Sequence, residues 1–92
     1  YFANGGNCEM YLSSADWMKR NLSERVELLF PIEDQEIVAR VKNMLEIMLK
    51  DNRKAYIMRN DGNYQHAFRR GKKINSQEEL CREAENRAGV LA

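Results

Sequence analysis

Residues 13–34 read Ser13-Ser14-Ala15-Asp16-Trp17-Met18-Lys19-Arg20-Asn21-Leu22-Ser23-Glu24-Arg25-Val26-Glu27-Leu28-Leu29-Phe30-Pro31-Ile32-Glu33-Asp34, and how the rest of the chain folds depends on them. The first nine residues gather two hydroxyls, a carboxylate, two cations and an amide around one indole. An apolar run, Met10-Tyr11-Leu12, precedes them, and Val26-Glu27-Leu28-Leu29-Phe30 follows. The segment therefore reads as a loop that leaves one strand and returns along the next. Loops held by rigid strands are where binding and catalytic groups concentrate.

Upstream, Tyr1–Ala3 and Cys8–Leu12 flank Asn4-Gly5-Gly6-Asn7, whose glycines suit the positive φ of a tight turn, so a β-hairpin is predicted with Ser13 and Ser14 at its far end. Downstream, Glu24–Phe30 alternates, with Val26, Leu28 and Phe30 on a buried face, and Pro31, which cannot donate to a ladder, is expected to end the strand. Asp34 should cap a long helix, with Glu33 and Glu36 suited to its positive end. Ile37, Val38, Val41, Met44, Leu45, Met48 and Leu49 recur at helical steps, a stripe expected to pack on the sheet. Glu36 with Arg40 and Glu46 with Lys50 could pair across the solvated face.

That helix should run out near Asp51-Asn52. Ala55–Arg59 and Tyr64–Phe68 then read as a hairpin about Asp61-Gly62, and a two-residue turn would set Ile57 opposite His66. After a flexible Arg69-Arg70-Gly71-Lys72-Lys73, Ser76 and Glu79 form a capping box for a last, weakly amphipathic helix to about Arg87. Two hairpins, a strand and two helices make an α/β fold in which a mixed sheet with hairpins is packed by helices.

At 92 residues the chain is one small domain at most, with a thin core. Its first residues, Tyr1-Phe2-Ala3, read as the inside of a strand and not as a natural start, so a longer parent protein is expected. The formal net charge is +1, from 15 basic and 14 acidic residues, so no global field draws nucleic acid or membrane and any anion binding must be local. Cys8 and Cys81 read as free thiols of a cytoplasmic protein. No apolar run is long enough to form a transmembrane segment.

The run Ser13-Ser14-Ala15-Asp16-Trp17-Met18-x-Arg20-Asn21-Leu22, leading into Arg25-Val26-Glu27 and Pro31-Ile32-Glu33-Asp34, resembles the C-terminal region of bacterial polyphosphate kinase. Phe2-x-Asn4-Gly5-Gly6-Asn7 and Met48-Leu49-Lys50-Asp51-Asn52 fit the same pattern; the resemblance weakens at Asp61-Gly62 and Tyr64 and is faint beyond Arg70. It implies that residues 1–92 are the C-terminal part of the last of two phospholipase D-like domains. The parent would then move the γ-phosphate of ATP reversibly onto inorganic polyphosphate through a phosphohistidine, with Mg²⁺. Its partners would be ATP, polyphosphate, the remaining domains of the parent and further copies of itself as a homo-oligomer.

In phospholipase D-like sites a nucleophilic histidine is followed by a Gly-Ser-x-Asn element that holds the phosphoryl group. Ser13-Ser14-Ala15-Asp16 falls in that place, with Ser14 matching, Ser13 replacing the glycine and Asp16 the asparagine. An ionised Asp beside phosphate is repulsive unless paired, so Asp16 would orient a histidine N–H or a cation such as Arg20 or Mg²⁺. Ser14, Asp16, Arg20 and Asn21 are thus the expected phosphate-site support. The family's histidines are expected upstream of Tyr1, His66 matches neither, and the isolated piece should not turn over.

Plainer readings stand beside these. Ser14 and Asp16 equally suit a hydrogen-bonded turn around Trp17. Trp17 and Met18 are expected in the core. Arg20 and Arg25 could pair with Glu24 and Glu27, and Arg69–Lys73, a short basic run that could serve as a polyphosphate or nucleic-acid patch, fits a merely solvated loop better. Rival functions are a phospholipase D-like phosphodiesterase or nuclease, and a non-catalytic module that binds a polyanion or drives assembly.

Overall fold

Asn4–Gly6 form a tight turn with φ of 49°, 63° and 98°, and Phe2 and Glu9 exchange two backbone hydrogen bonds of 2.9 Å across it. This is the predicted first hairpin, reduced to a single bridge. The computed structural model describes residues 1–91, with side chains to residue 89. It falls into two compact units, Tyr1–Lys42 and the remainder from Asn43.

In the first unit, β1 (Tyr11–Ser13) pairs antiparallel with β2 (Leu29–Pro31), in the register Tyr11 to Pro31 and Ser13 to Leu29. Pro31 does not end the pairing. Ile32 N donates to the Met10 carbonyl at 2.8 Å and Ser14 N to the Leu28 carbonyl at 3.0 Å. Hydrogen-bonded and non-bonded pairs alternate along an antiparallel ladder, which makes Tyr11/Pro31 a non-bonded pair where no N–H is required. The strand predicted over Glu24–Phe30 is correspondingly displaced. Arg20–Glu24 wind into a π-helical turn, β1 offers no partner before Leu28, and Val26 is fully exposed at 103% instead of facing a core.

Asp34 caps α1 (Gln35–Lys50) as expected: its Oδ1 accepts the N–H groups of Glu36 at 2.9 Å and Ile37 at 3.2 Å, two of the donors that a helix start leaves free. The apolar stripe of α1 is only half-buried at Val38, Val41, Met44 and Ile47, while Ile37, Leu45, Met48 and Leu49 remain exposed. Neither expected pair on its outer face forms; the ion pairs among the described residues are Lys73–Glu78 and Arg82–Glu79.

In the second unit, β3 (Tyr56–Met58) pairs antiparallel with β4 (Tyr64–His66). Arg59 and Asn63 close the loop through a 2.8 Å bond, Gly62 N returns to the Arg59 carbonyl at 3.0 Å, and Gly62 takes φ +83°. A three-residue loop with glycine in the left-handed region replaces the expected two-residue turn. The register therefore slips by one, placing Ile57 opposite Gln65 and His66 opposite Tyr56. The last helix, α2 (Ser76–Leu91), runs beyond Arg87, and its cap is Asn75, whose Oδ1 accepts Glu78 N at 3.4 Å.

Ser76 has a different task. Its N–H and hydroxyl both donate to Asp51 Oδ2 at 2.8 Å, while Asp51 Oδ1 accepts the N–H groups of Lys54, Arg53 and Ala55 at 2.8, 2.9 and 3.2 Å. Asp51 is 3% exposed. The Lys54 N–H foremost, then that of Ser76, holds its carboxyl far below the usual carboxylate range, against the burial that pushes it up. Asn52, also buried, exchanges N–H bonds with Ile74 in both directions and donates Nδ2 to the Lys72 carbonyl at 2.9 Å.

The class is mixed α/β, but the strands make two separate two-stranded antiparallel sheets and not one mixed sheet. The buried apolar residues among those described are Met10 and Ala67, and neither is completely enclosed, so the core is as thin as the length implies.

Candidate functional site

The polar corner begins where β1 ends. Ser13 Oγ accepts the N–H of Ala15 at 3.0 Å, a local turn bond that bends the chain off the ladder. Ser14 Oγ donates to Glu27 Oε2 at 2.6 Å and accepts the Leu28 N–H at 3.0 Å. The hydroxyl proton is thereby committed to a carboxylate in a short, charge-assisted bond. What the Ser14–Glu27 pair offers outward is lone pairs, so it suits a donor, such as an imidazole N–H or a cation, better than a phosphate oxygen. In the sequence Glu27 reads only as a partner for Arg20 or Arg25, on the side of the strand opposite Val26 and Leu28. The alternation of Val26 and Leu28 suggested that side, and only the hairpin register brings Glu27 to Ser14.

The other corner residues divide. Asp16 and Arg20 are exposed, and neither side chain is hydrogen-bonded or ion-paired among the described residues. The pairs expected of Arg20 and Arg25 with Glu24 and Glu27 do not form there either. Asn21 is buried at 7% exposure within the π-helical turn, and its Nδ2 has no hydrogen-bond partner among the described residues. A buried amide donor without an acceptor is costly.

Trp17 corrects the expectation of a core indole: it is 95% exposed, and Met18 and Leu22 beside it are exposed too. An indole is buried only where another part of the fold packs over it, and at 95% exposure none of the described residues does so.

His66 is fixed by two contacts. Its Nε2 lies 2.7 Å from the Arg53 carbonyl, to which it donates, and its ring meets Tyr56 edge-on at 5.2 Å. The segment Arg69–Lys73, expected to be flexible, is held along its backbone. Arg53 donates to the carbonyls of Arg69 at 3.2 Å and Gly71 at 3.3 Å, and its guanidinium lies 5.0 Å from the centre of the Phe68 ring. Cys8 and Cys81 are unpaired and exposed. No described helix is long and apolar enough to cross a membrane, and no cluster of three or more metal-ligating side chains occurs among the described residues.

Residues 1–77 match the family described as polyphosphate kinase C-terminal domain 2, and the chain belongs to that family. It is 51% identical over 82 residues to polyphosphate kinase 1 of Chlorobaculum tepidum, a match covering 89% of this chain and 12% of that protein. It is 43% identical over 90 residues to polyphosphate kinase of Prosthecochloris aestuarii, covering 98% of this chain and 13% of the relative. The backbone is similar to the crystal structure of polyphosphate kinase from Porphyromonas gingivalis, with a TM-score of 0.84 and 34% identity over 97% of this chain and 14% of that one. That likeness fits the phospholipase D-like C-terminal domain implied by the resemblance. The chain thus spans a small part of the length of its relatives.

Proposed function

We propose that this chain is the C-terminal portion of a polyphosphate kinase that reversibly transfers the γ-phosphate of ATP to inorganic polyphosphate through a phosphohistidine. The observation that carries this reading is family membership across residues 1–77 together with a polar corner at the end of β1. His66, whose Nε2 donates to the Arg53 carbonyl, matches neither histidine of the family pattern, and on that ground we place the nucleophile elsewhere in the parent. A histidine nucleophile divides one difficult displacement into two easier ones.

The corner's part is positioning and charge. Ser14, fixed by Glu27 and the Leu28 N–H, supplies an acceptor that can orient a histidine N–H. The Arg20 guanidinium, unpaired among the described residues, can take phosphate oxygens in bidentate fashion. Asn21 Nδ2, a donor in want of an acceptor, suits a phosphoryl oxygen. Asp16 is the corner's unpaired carboxylate, which fits Mg²⁺, an ion usually held by one or two carboxylates plus substrate phosphates. Bound there, the ion would offset phosphate charge. The two free thiols suit a reducing compartment, and the cytoplasm is the location we assign.

The full-length parent, given Mg²⁺ and γ-labelled ATP, should form an acid-labile phosphoenzyme and then long polyphosphate. Failure to form either refutes the assignment. Arg20→Ala should lower the rate of phosphoenzyme formation by about 100- to 1,000-fold, the usual cost of losing one preorganised charge-stabilising donor.

A further inference from the structure

Positive charge is distributed very unevenly. Against a whole-chain net charge of +1, residues 50–73 carry eight Lys or Arg and two Asp. Of those two, Asp51 is buried under five donors and Asp61 is turned onto Asn63 at the hairpin tip. Some of the cations are occupied: Lys73 pairs with Glu78 at 3.1 Å, Arg53 holds two carbonyls, and Arg69 reaches the Leu49 carbonyl at 3.5 Å. Lys50, Lys54, Arg70 and Lys72 are exposed, with no side-chain hydrogen bond or ion pair among the described residues.

These four cations stand on a fixed backbone. Asn52 and Arg53 staple the segment 69–74 through the carbonyls of Arg69, Gly71, Lys72 and Ile74 and through the Ile74 N–H. Lys50 and Lys54 flank the stapling residues, Arg70 lies between the stapled Arg69 and Gly71, and Lys72 is itself stapled through its carbonyl. Lys50 and Lys72 line one shallow cavity of about 170 Å³ with Ile47, Ile74 and Glu79. The Glu79 carboxylate there is held by Arg82 at 2.8 Å. Cations on an ordered backbone lose less freedom on binding than cations on a mobile loop.

We propose that Lys50, Lys54, Arg70 and Lys72 form a binding strip for a linear polyanion, and that its ligand is inorganic polyphosphate. This rests on the function proposed above and places a second contact for the polymer outside the Ser14–Asn21 corner. Single-stranded nucleic acid is the weaker fit, because such strands are gripped by stacking on free aromatic faces, and the Phe68 ring beside the strip already faces the Arg53 guanidinium. A strip that grips the polymer away from the reacting end raises its effective concentration between transfers, so longer chains result.

The test uses the full-length parent and the double variants Arg70→Gln/Lys72→Gln and, as a fold control, Arg70→Lys/Lys72→Arg. Binding of long-chain polyphosphate and of single-stranded DNA is measured across a salt series, with phosphoenzyme formation from ATP and product length recorded alongside. The Gln variant should bind polyphosphate about tenfold more weakly and lose about 0.7–0.9 of logarithmic salt slope per cation, by analogy with nucleic acids. It should make shorter product while phosphoenzyme formation is unchanged, and the charge-conserving variant should behave as wild type. Unchanged polyphosphate affinity and product length overturn the strip, as does a loss confined to single-stranded DNA. A wild type that forms no phosphoenzyme overturns the proposed function instead; the binding measurement, which needs no turnover, still decides the strip.

Discussion

The loop Ser13–Asn21 and the junction of Asp51–Arg53 with residues 69–76 are both dense in polar groups, yet they are organised in opposite ways. In the first, Asp16, Trp17 and Arg20 stand in solvent, and only Ser14 is fixed from both sides. In the second, one buried carboxylate and one buried amide hold two stretches of chain together through bonds of 2.8–3.2 Å. A cluster of reactive residue types marks where chemistry could happen, while burial and complete pairing mark where geometry is set. The corner has the groups and the junction has the rigidity.

The sharpest way to break this contrast is Asp51→Ala, which leaves five donors without their acceptor. Hydrogen bonds to a charged group are worth about 1.5–3 kcal/mol each, not additively, so a local loss of about 3 kcal/mol is expected. Hydrogen exchange of the Lys54, Ala55 and Ser76 amides should accelerate by roughly 100-fold, with the Ser14 and Leu28 amides unmoved. Equal acceleration in both regions would dissolve the distinction.

Acid should act on the same carboxylate. Its folded pKa is depressed, so its stabilisation is whole above the unfolded Asp value of about 3.9 and is lost as pH falls from there through the folded value. Protection of these amides should therefore be flat from neutral pH down to about 5 and decline only below about 4. A decline already under way at pH 6 would assign the linkage to another group.

Asn52→Ala comes next, at about 2 kcal/mol, because it strands the Lys72 carbonyl and the Ile74 N–H while sparing Asp51. Exchange at Ile74 should rise by about 30-fold with little change at Lys54. If the basic strip needs its staple, polyphosphate affinity should fall with it although no cation is removed.

Much of this was legible in the chain. The Asp34 cap, the bounds of α1, the positions of both turns and the family of the corner follow from local chemistry that operates within four residues, or from a run long enough to be specific. What escaped depends on distant partners. Asp51 at a helix end reads as an ordinary stop, because its Ser76 partner lies 25 residues away. Ser76 in turn passes for a cap, since nothing local distinguishes it from Asn75. The Val26 alternation promised a buried face, but burial needs a facing strand and β1 is too short to provide one. Gly62 signalled a hairpin correctly and its register wrongly, since the same dipeptide serves loops of two and three residues.

Ser14→Ala tests the single fixed point of the corner. It removes an exposed acceptor for Leu28 N and an exposed donor to Glu27, which should cost about 1 kcal/mol, or roughly fivefold faster exchange at Leu28. Glu27→Gln keeps a hydrogen-bonding partner for the hydroxyl but removes the charge, so stability should hardly change. If the pair orients the histidine of the parent, Glu27→Gln should nevertheless slow phosphoenzyme formation and shift its pH profile, whereas a purely structural turn would show neither effect.

Trp17→Ala carries the smallest expected effect on stability. A side chain 95% exposed has almost no burial to lose, so the change should stay within about 0.5 kcal/mol, against about 3–5 kcal/mol for a buried indole. The useful measurement is made in the full-length parent, where acrylamide quenching of Trp17 reports whether other parts of the protein cover it. Strong quenching with an unchanged melting temperature leaves the corner open, as the mouth of a phosphate site requires. A shielded indole and a large loss on substitution would make the same corner an internal packing surface. Asp16 and Arg20 would then be rim residues of that contact, and the task of meeting phosphate would fall to the basic strip.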